Sequence, residues 1–348
     1  MMGNFSFGGY EKKLAIELAY TFLSKNLNLK EKISFVSIFE GLDNVGVPKD
    51  VESKKIWGEI DSKLDVREES IEDVFWGPTG SSGPCGPTTE IYCRDILNRN
   101  IENWNIVFNQ YYFDGSRDEL ISGISNKKLE QLKKFGVDTG MGLERLMMIL
   151  SNVESIYETD LFLPILEFIP NDMTIKTRRI IADHSRAIVF LLGDGVLPSN
   201  KGAGYILRRL MRRIIAHYFL YAKQNKNFND KDITKPFEAV INNYGEIYKE
   251  LKNENIIPLF LEERQRFLKV LSQGIKEFDK LKSIDGVSAF HLYESFGLPF
   301  EILMDIGGEK TKNLTRIEYE NEFKRHQDAS RAGKEKKFGG HGMLLDTG

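Results

Sequence analysis

Cysteine is scarce. The 348 residues include two, Cys85 and Cys93. Two thiols cannot build a disulfide framework, nor a four-cysteine zinc site within the chain. Their spacing would permit a pair of metal ligands, but no histidine lies near them in sequence. Such sparing use of cysteine fits a reducing compartment. Long apolar runs are also missing. The most apolar stretches, such as Ala187 to Leu192, are far too short to span a bilayer. The opening "MMGNFSFGGYEKK" lacks the apolar core of a signal peptide. No sign of charge dominates: the formal net charge is −3, which by itself predicts neither a nucleic acid nor a membrane partner. What is present, 28% charged and 41% hydrophobic residues, is the profile of a globular chain with room for two or three domains.

Periodicity then sketches the elements. Leu14, Ala15, Leu18, Ala19 and Phe22 recur at helical spacing and predict an amphipathic helix over Glu11 to Asn26. "KISFVSIFEG" predicts a strand, and "DVESKKIWGEI" a helix capped by Asp50. "TEIYCRD" and "WNIVFNQYYF", rich in β-branched and aromatic residues, predict strands. "GVDTGMGLERLMMIL" predicts a Gly-rich strand end entering a helix. From about residue 155 helical periodicity dominates through roughly residue 330, and a polar tail follows that reads as a linker.

Four stretches carry candidate chemistry. The first, "GSSGPCGPTTE" from Gly80 to Glu90, lacks the Lys-Ser/Thr of a P-loop and leads into a strand, unlike a dinucleotide fingerprint. It is a stiff turn, or a loop whose backbone amides face a ligand. In "VDTGMGLERL", Gly140 and Gly142 permit close packing, Arg145 could lie on an adenine ring, and Asp138 could hold an ammonium group. The plain alternative is a strand-to-helix turn with a solvated Glu-Arg pair. In "IENWNIVFNQ", strict alternation puts Glu102, Trp104 and Ile106 on one face and Asn103, Asn105 and Val107 on the other. Such polar groups on a sheet serve a ligand or mark an edge strand with one wet face. In "LPSNKGAGYILRRLMRRIIAHY", Ile206, Leu207, Leu210, Met211 and Ile214 form one helical arc and Arg208, Arg209, Arg212 and Arg213 the opposite one. Basic residues gathered there favour a polyanion partner, or are simply a solvated face.

Taken together, "GNFSFGGY", "GPCGPTTEIY", "WNIVFNQ", "VDTGMGLERL", "GDGVLPSNKGAGYILRRLMRR" and "LYESFGLPFE" resemble, in order, the alanyl-tRNA synthetase family of class II aminoacyl-tRNA synthetases. The resemblance implies an α+β fold: a class II synthetase-like antiparallel sheet with flanking helices over 1–152, incomplete at its start. An all-helical tRNA-recognition domain over 153–312 and a linker toward an editing domain over 313–348 would follow. It implies ATP-dependent activation of alanine and transfer to the 3′ end of tRNA(Ala), with ATP and Mg2+ as cofactors and a cytoplasmic location. Trp76 would close the small side-chain site, Asn105 would help hold the amino acid, and Asp138 would bind its ammonium group. Gly140, Gly142 and Arg145 would bind the nucleotide, with Glu102 a candidate Mg2+ contact. Cys85 would be structural. Asn200, Arg208, Arg209, Arg212, Arg213 and Glu294 would face the tRNA acceptor stem.

Departures from the family pattern add expectations. The family places more sequence before "MGNFSFG", including an arginine that clamps the ATP α-phosphate, and an editing domain with zinc ligands after the stretch seen here. The sequence therefore predicts a fragment that needs a complementary segment for activity. A tRNA-binding module derived from such an enzyme is the alternative. The loop before "GPCGP" is one residue longer than the usual form, and Glu294 stands where an aspartate is common.

Overall fold

Local chemistry sets the first elements. Asp50 caps the helix that follows it by accepting the amide of Ser53 at 3.1 Å, and the same carboxylate takes the buried Lys12 ammonium at 2.5 Å. That pair ties helix α1 (Lys12–Thr21) to helix α2 (Val51–Ile60). The computed structural model describes residues 1–326 apart from 124–126, 128 and 226–227, so the tail beyond residue 326 lies outside the described residues.

Contacts divide the chain into two units, Met1–Leu163 and Pro164–Gly348. The first holds a seven-stranded sheet in the order β1 (Phe5–Phe7), β7 (Leu129–Met141), β6 (Asn100–Phe113), β5 (Gly83–Arg94), β2 (Ile33–Phe39), β3 (Val66–Glu69), with β4 (Phe75–Trp76) on β5. The sheet is antiparallel, as the resemblance implies, with one parallel pair, β2 with β3, at its edge. Two more helices, α3 (Arg117–Ser122) and α4 (Leu143–Ser151), interrupt and follow the long strands.

One face of the sheet is the core. Val36, Ile38, Ile91, Trp104, Ile106, Phe108 and Val137 pack there against Ala15, Ile16, Ala19, Leu23, Ile56 and Trp57 of the helices. The predicted face of α1 is rotated from the observed one: Leu14 and Leu18 are 45% and 48% exposed, while Ile16 is buried. The buried Lys12–Asp50 pair anchors the helix at that angle.

The Gly/Pro stretch is strand rather than loop from Gly83 onward, where Gly83, Pro84 and Cys85 pair with Phe113, Tyr112 and Tyr111. A register shift between Cys85 and Thr88 accommodates the prolines, which cannot donate to a ladder. Gly86 sits in that shift. A Cβ there would come within 1.9 Å of the Phe108 carbonyl oxygen, so no larger residue fits.

The second unit is helical. Helix α5 (Leu163–Leu166) spans the join, followed by α6 (Ile175–Gly193), α7 (Gly202–Gln224), α8 (Lys235–Tyr244), α9 (Ile256–Lys280), α10 (Gly286–Phe296) and α11 (Phe300–Gly307). Helix α7 packs on α6 and α9, burying Leu207, Met211, Ile214 and Ile215. Residues 316–326 are helical, as the periodicity running to about residue 330 predicts, although the resemblance implies a linker from 313; their Tyr319 is buried against Phe290, Tyr293 and Phe300. Aromatic residues in this stretch outweigh its charge and hold it to the unit. Among the described residues no helix is long and apolar enough to cross a membrane.

Candidate active site

Phe39, next to the core residue Ile38, lies on the opposite face in a second apolar cluster with Val74, Phe75, Cys85 and Phe113, and the same face also carries a hollow. A cavity of about 610 Å³ opens there, wholly within the first unit. Every residue that the sequence pointed to for the amino acid and the nucleotide lines it: Trp76, Glu102, Asn105, Asp138, Gly140, Gly142 and Arg145.

Strand register explains the gathering. Asn105 lies between Glu90 of β5 and Gly140 of β7, and Val107 lies opposite Asp138. Alternation then turns Asn105, Val107, Asp138 and Gly140 to one side. Glu102 breaks the predicted pattern. Ile91 pairs with Trp104, but the next residue, Tyr92, pairs with Glu102, which leaves Asn103 as an extra residue. This β-bulge switches the parity of the strand, so Glu102 lines the cavity beside Asn105 while Trp104 stays in the core.

Sequence reasoning missed Glu90. It is buried, and it accepts the Asn105 Nδ2 amide at 2.7 Å and the Tyr92 hydroxyl at 2.8 Å. Burial pushes its carboxyl up to about 7, opposed by the Tyr92 hydroxyl and reinforced by Glu102. A lone glutamate inside the apolar strand "TTEIYC" was the available signal. With its amide nitrogen held by Glu90, Asn105 keeps a buried Oδ1 that no group among the described residues satisfies. An unpaired acceptor at a cavity wall is costly unless a donor arrives with a ligand.

Asp138 is similarly poised. Burial raises its carboxyl above the ordinary range, and no cation pairs with it among the described residues. The Arg145 guanidinium, half exposed on the first turn of α4, donates to the Glu102 carbonyl at 2.9 Å and to its carboxylate at 3.1 Å. Trp76 stands at the cavity edge, 49% exposed. Cys85 is buried, and burial pushes its thiol up to about 12, so it is no nucleophile. No group of three or more His, Cys, Asp or Glu side chains gathers as a metal site among the described residues.

In the second unit, a small notch of about 30 Å³ brings together Asn200, Arg208, Arg209 and Arg212 with Tyr205 and Tyr293. The arginines of α7 are not a solvated face. Glu263 of α9, 2% exposed, pairs with Arg212 at 2.8 Å and Arg208 at 3.4 Å. Glu301 of α11 stands 3.8 Å from Arg209. Asp305 takes Arg213 at 2.8 Å. Arg208 also donates to the Asn200 side-chain oxygen. Helical periodicity cannot reveal these partners, because they come from other helices. Ile206, placed in the apolar arc, is 41% exposed. Arg213 and Glu294 fall outside the notch, Glu294 pairing with His326 at 2.7 Å.

The family model described as "tRNA synthetases class II (A)" matches residues 1–343. The alanine–tRNA ligase of Borrelia hermsii is 37% identical over 98% of this chain and 60% of its own length. That of Treponema denticola is 38% identical over 98% and 60%, and that of Thermotoga sp. (strain RQ2) 36% identical over 95% and 40%. The chain thus spans 60% or less of the length of these relatives. Sheet, cavity and family model lead to one conclusion: the chain belongs to the class II (A) tRNA synthetase family.

Proposed function

We propose that this chain carries the amino-acid-activating and acceptor-stem-binding parts of an alanine–tRNA ligase. The observation that carries the proposal is the single cavity shared by Trp76, Asn105, Asp138, Glu102 and Arg145. The ammonium group of alanine pairs with Asp138 and donates to the unsatisfied Asn105 Oδ1. Trp76 closes the small side-chain end. Arg145 stacks on adenine with its plane held by Glu102, and Gly140 and Gly142 let the nucleotide lie close to the strand. A Mg2+ ion needs one or two protein carboxylates beside substrate phosphates; Glu102, which also pairs with Arg145, would be the carboxylate to hold it, and the ion would supply charge neutralisation on those phosphates.

The alanine carboxylate then attacks the α-phosphate and pyrophosphate leaves. A terminal ribose hydroxyl of tRNA afterwards attacks the adenylate carbonyl, forming the alanyl ester as the acyl–phosphate bond breaks, with AMP as leaving group and the hydroxyl proton lost. Both steps need positioning and charge stabilisation more than a protein nucleophile, in keeping with the inert Cys85. The Asn200–Arg208–Arg209–Arg212 notch takes phosphates of the acceptor stem, the carboxylates beneath holding the guanidinium groups in a fixed array. Arg213 and Glu294 flank that contact, and the protein works in the cytoplasm.

The proposal extends to a complementary segment supplying the clamp on the α-phosphate. Alanine-dependent exchange of pyrophosphate into ATP is the test. The chain alone is expected to exchange weakly, and to gain activity when that segment is supplied. Acceptor-stem RNA binding without any gain would favour a second reading, a tRNA-binding module, for which the arginine notch is the supporting observation.

A further inference from the structure

Trp76 belongs to a strand of only two residues, Phe75–Trp76. Ile71, Val74 and Phe75 are buried in an apolar cluster that holds the approach to Trp76, but neither the half-exposed indole itself nor the chain just after it belongs to that cluster. The chain turns directly behind the indole: Gly77 has φ +75, and a Cβ there would lie 2.6 Å from the Pro84 carbonyl oxygen. Support comes from a side chain forty residues further on. Arg117 opens α3, whose start is fixed by a capping box of Ser116 and Glu119 and by the buried Leu120. Its Nη1 donates to the carbonyl oxygens of Phe75 at 2.6 Å and Gly77 at 3.2 Å. Its Nη2 donates to those of Ile71 at 2.9 Å and Glu72 at 3.3 Å. These acceptors bracket Trp76 on both sides in sequence. A planar guanidinium with several fixed donors can hold such a set, whereas an ammonium cannot hold them all at once. Among the described residues no carboxylate forms an ion pair with Arg117, and Arg117 does not line the cavity.

We infer that Arg117 is a positioning residue for the amino-acid pocket. It locks the 71–77 loop so that Trp76 closes the side-chain end, and thereby sets how small the bound amino acid must be. The size-selectivity clause rests on the proposed reading of the cavity.

Arg117→Ala and Arg117→Lys test it in the full chain. Trp57 and Trp104 are buried and Trp76 is not, so acrylamide quenching of tryptophan fluorescence reports chiefly on Trp76, with Trp76→Phe as the blank. Quenching of Trp76 is expected to rise in Arg117→Ala and less in Arg117→Lys, with both variants still folded by circular dichroism. Alanine affinity should fall about tenfold in Arg117→Ala, as expected for a wall displaced by a fraction of an ångström, with ATP affinity unchanged. The preference for alanine over serine should shrink. Unchanged Trp76 quenching in Arg117→Ala would overturn the inference, as would equal losses of alanine and ATP affinity. If Arg117→Ala does not fold, Arg117→Lys decides by the same readouts. Absence of alanine binding by the unsubstituted chain would overturn the reading of the pocket instead. Quenching would then still decide whether Arg117 holds Trp76.

Discussion

Arg145 and Glu102 hold each other across forty-three positions of sequence, the guanidinium meeting the glutamate's backbone carbonyl at 2.9 Å and its carboxylate at 3.1 Å. This double contact leaves the guanidinium plane fixed beside the cavity. It exists because the bulge at Asn103 turns Glu102 to the cavity side of β6.

The first prediction concerns this pair. A cation over an aromatic ring contributes about 0.5–2 kcal/mol, so Arg145→Ala should weaken ATP binding about 2- to 30-fold. Glu102→Gln, which keeps the carbonyl contact, should weaken it less when Mg2+ is left out, so that its role toward the ion does not enter. Isothermal titration with ATP measures both. Equal affinity in all three proteins would place the adenine elsewhere.

Asp138→Asn should weaken alanine binding about 10- to 150-fold, the value of a hydrogen bond to a charged group of about 1.5–3 kcal/mol. The pH dependence has a definite sign. Burial raises the Asp138 carboxyl above 3.8, and the protonated form cannot pair with an ammonium group. Alanine affinity should therefore decline on acidification before an exposed aspartate would titrate. Titrations with alanine across acidic pH check this, and an unaffected Asp138→Asn variant would remove Asp138 from the site.

Glu90 predicts an unusual stability profile. Its carboxyl is raised from 4.5 to about 7 in the folded chain. Between those values the folded state holds a proton that the unfolded state has released. Stability from this group is therefore full below 4.5 and falls as pH rises to about 7. Glu90→Gln should flatten that slope. Urea midpoints across the interval provide the measurement. Glu90→Leu, which removes the acceptor of the Asn105 Nδ2 amide, should weaken alanine binding, because nothing then orients Asn105.

Asp305 predicts the opposite sign in the helical unit. Burial alone would raise its carboxyl, but His217, Lys176 and Arg213 outweigh burial and hold it below the usual carboxylate range. Its contribution is present above 3.8 and is lost as pH falls further. Asp305→Asn should destabilise the folded chain by about 3 kcal/mol near neutrality, a loss typical of breaking a buried ion pair. The difference from the unsubstituted chain should narrow in acid. A constant difference at all pH values in urea unfolding would contradict the assignment.

Much of this protein was determined by sequence alone. Alternation and turn chemistry located β5, β6, β7 and α2, and Asp50 caps α2 as its type and place predict. The order of short motifs picked out residues that meet in one cavity, since strand periodicity and Gly-rich turns are local properties. Tertiary structure decided the rest. That Lys12 is buried on α1 depends on its meeting Asp50, the cap of α2. Glu102 changed sides because pairing with β5 absorbs an extra residue at Asn103. Glu90 against Asn105, Arg117 against the carbonyls on either side of Trp76, and Glu263 against Arg208 and Arg212 are pairings between distant segments. A periodic pattern records only which way a side chain faces along its own element. What it meets there is set when separate elements pack, and at these positions the partner, not the pattern, fixes the charge and orientation of the group.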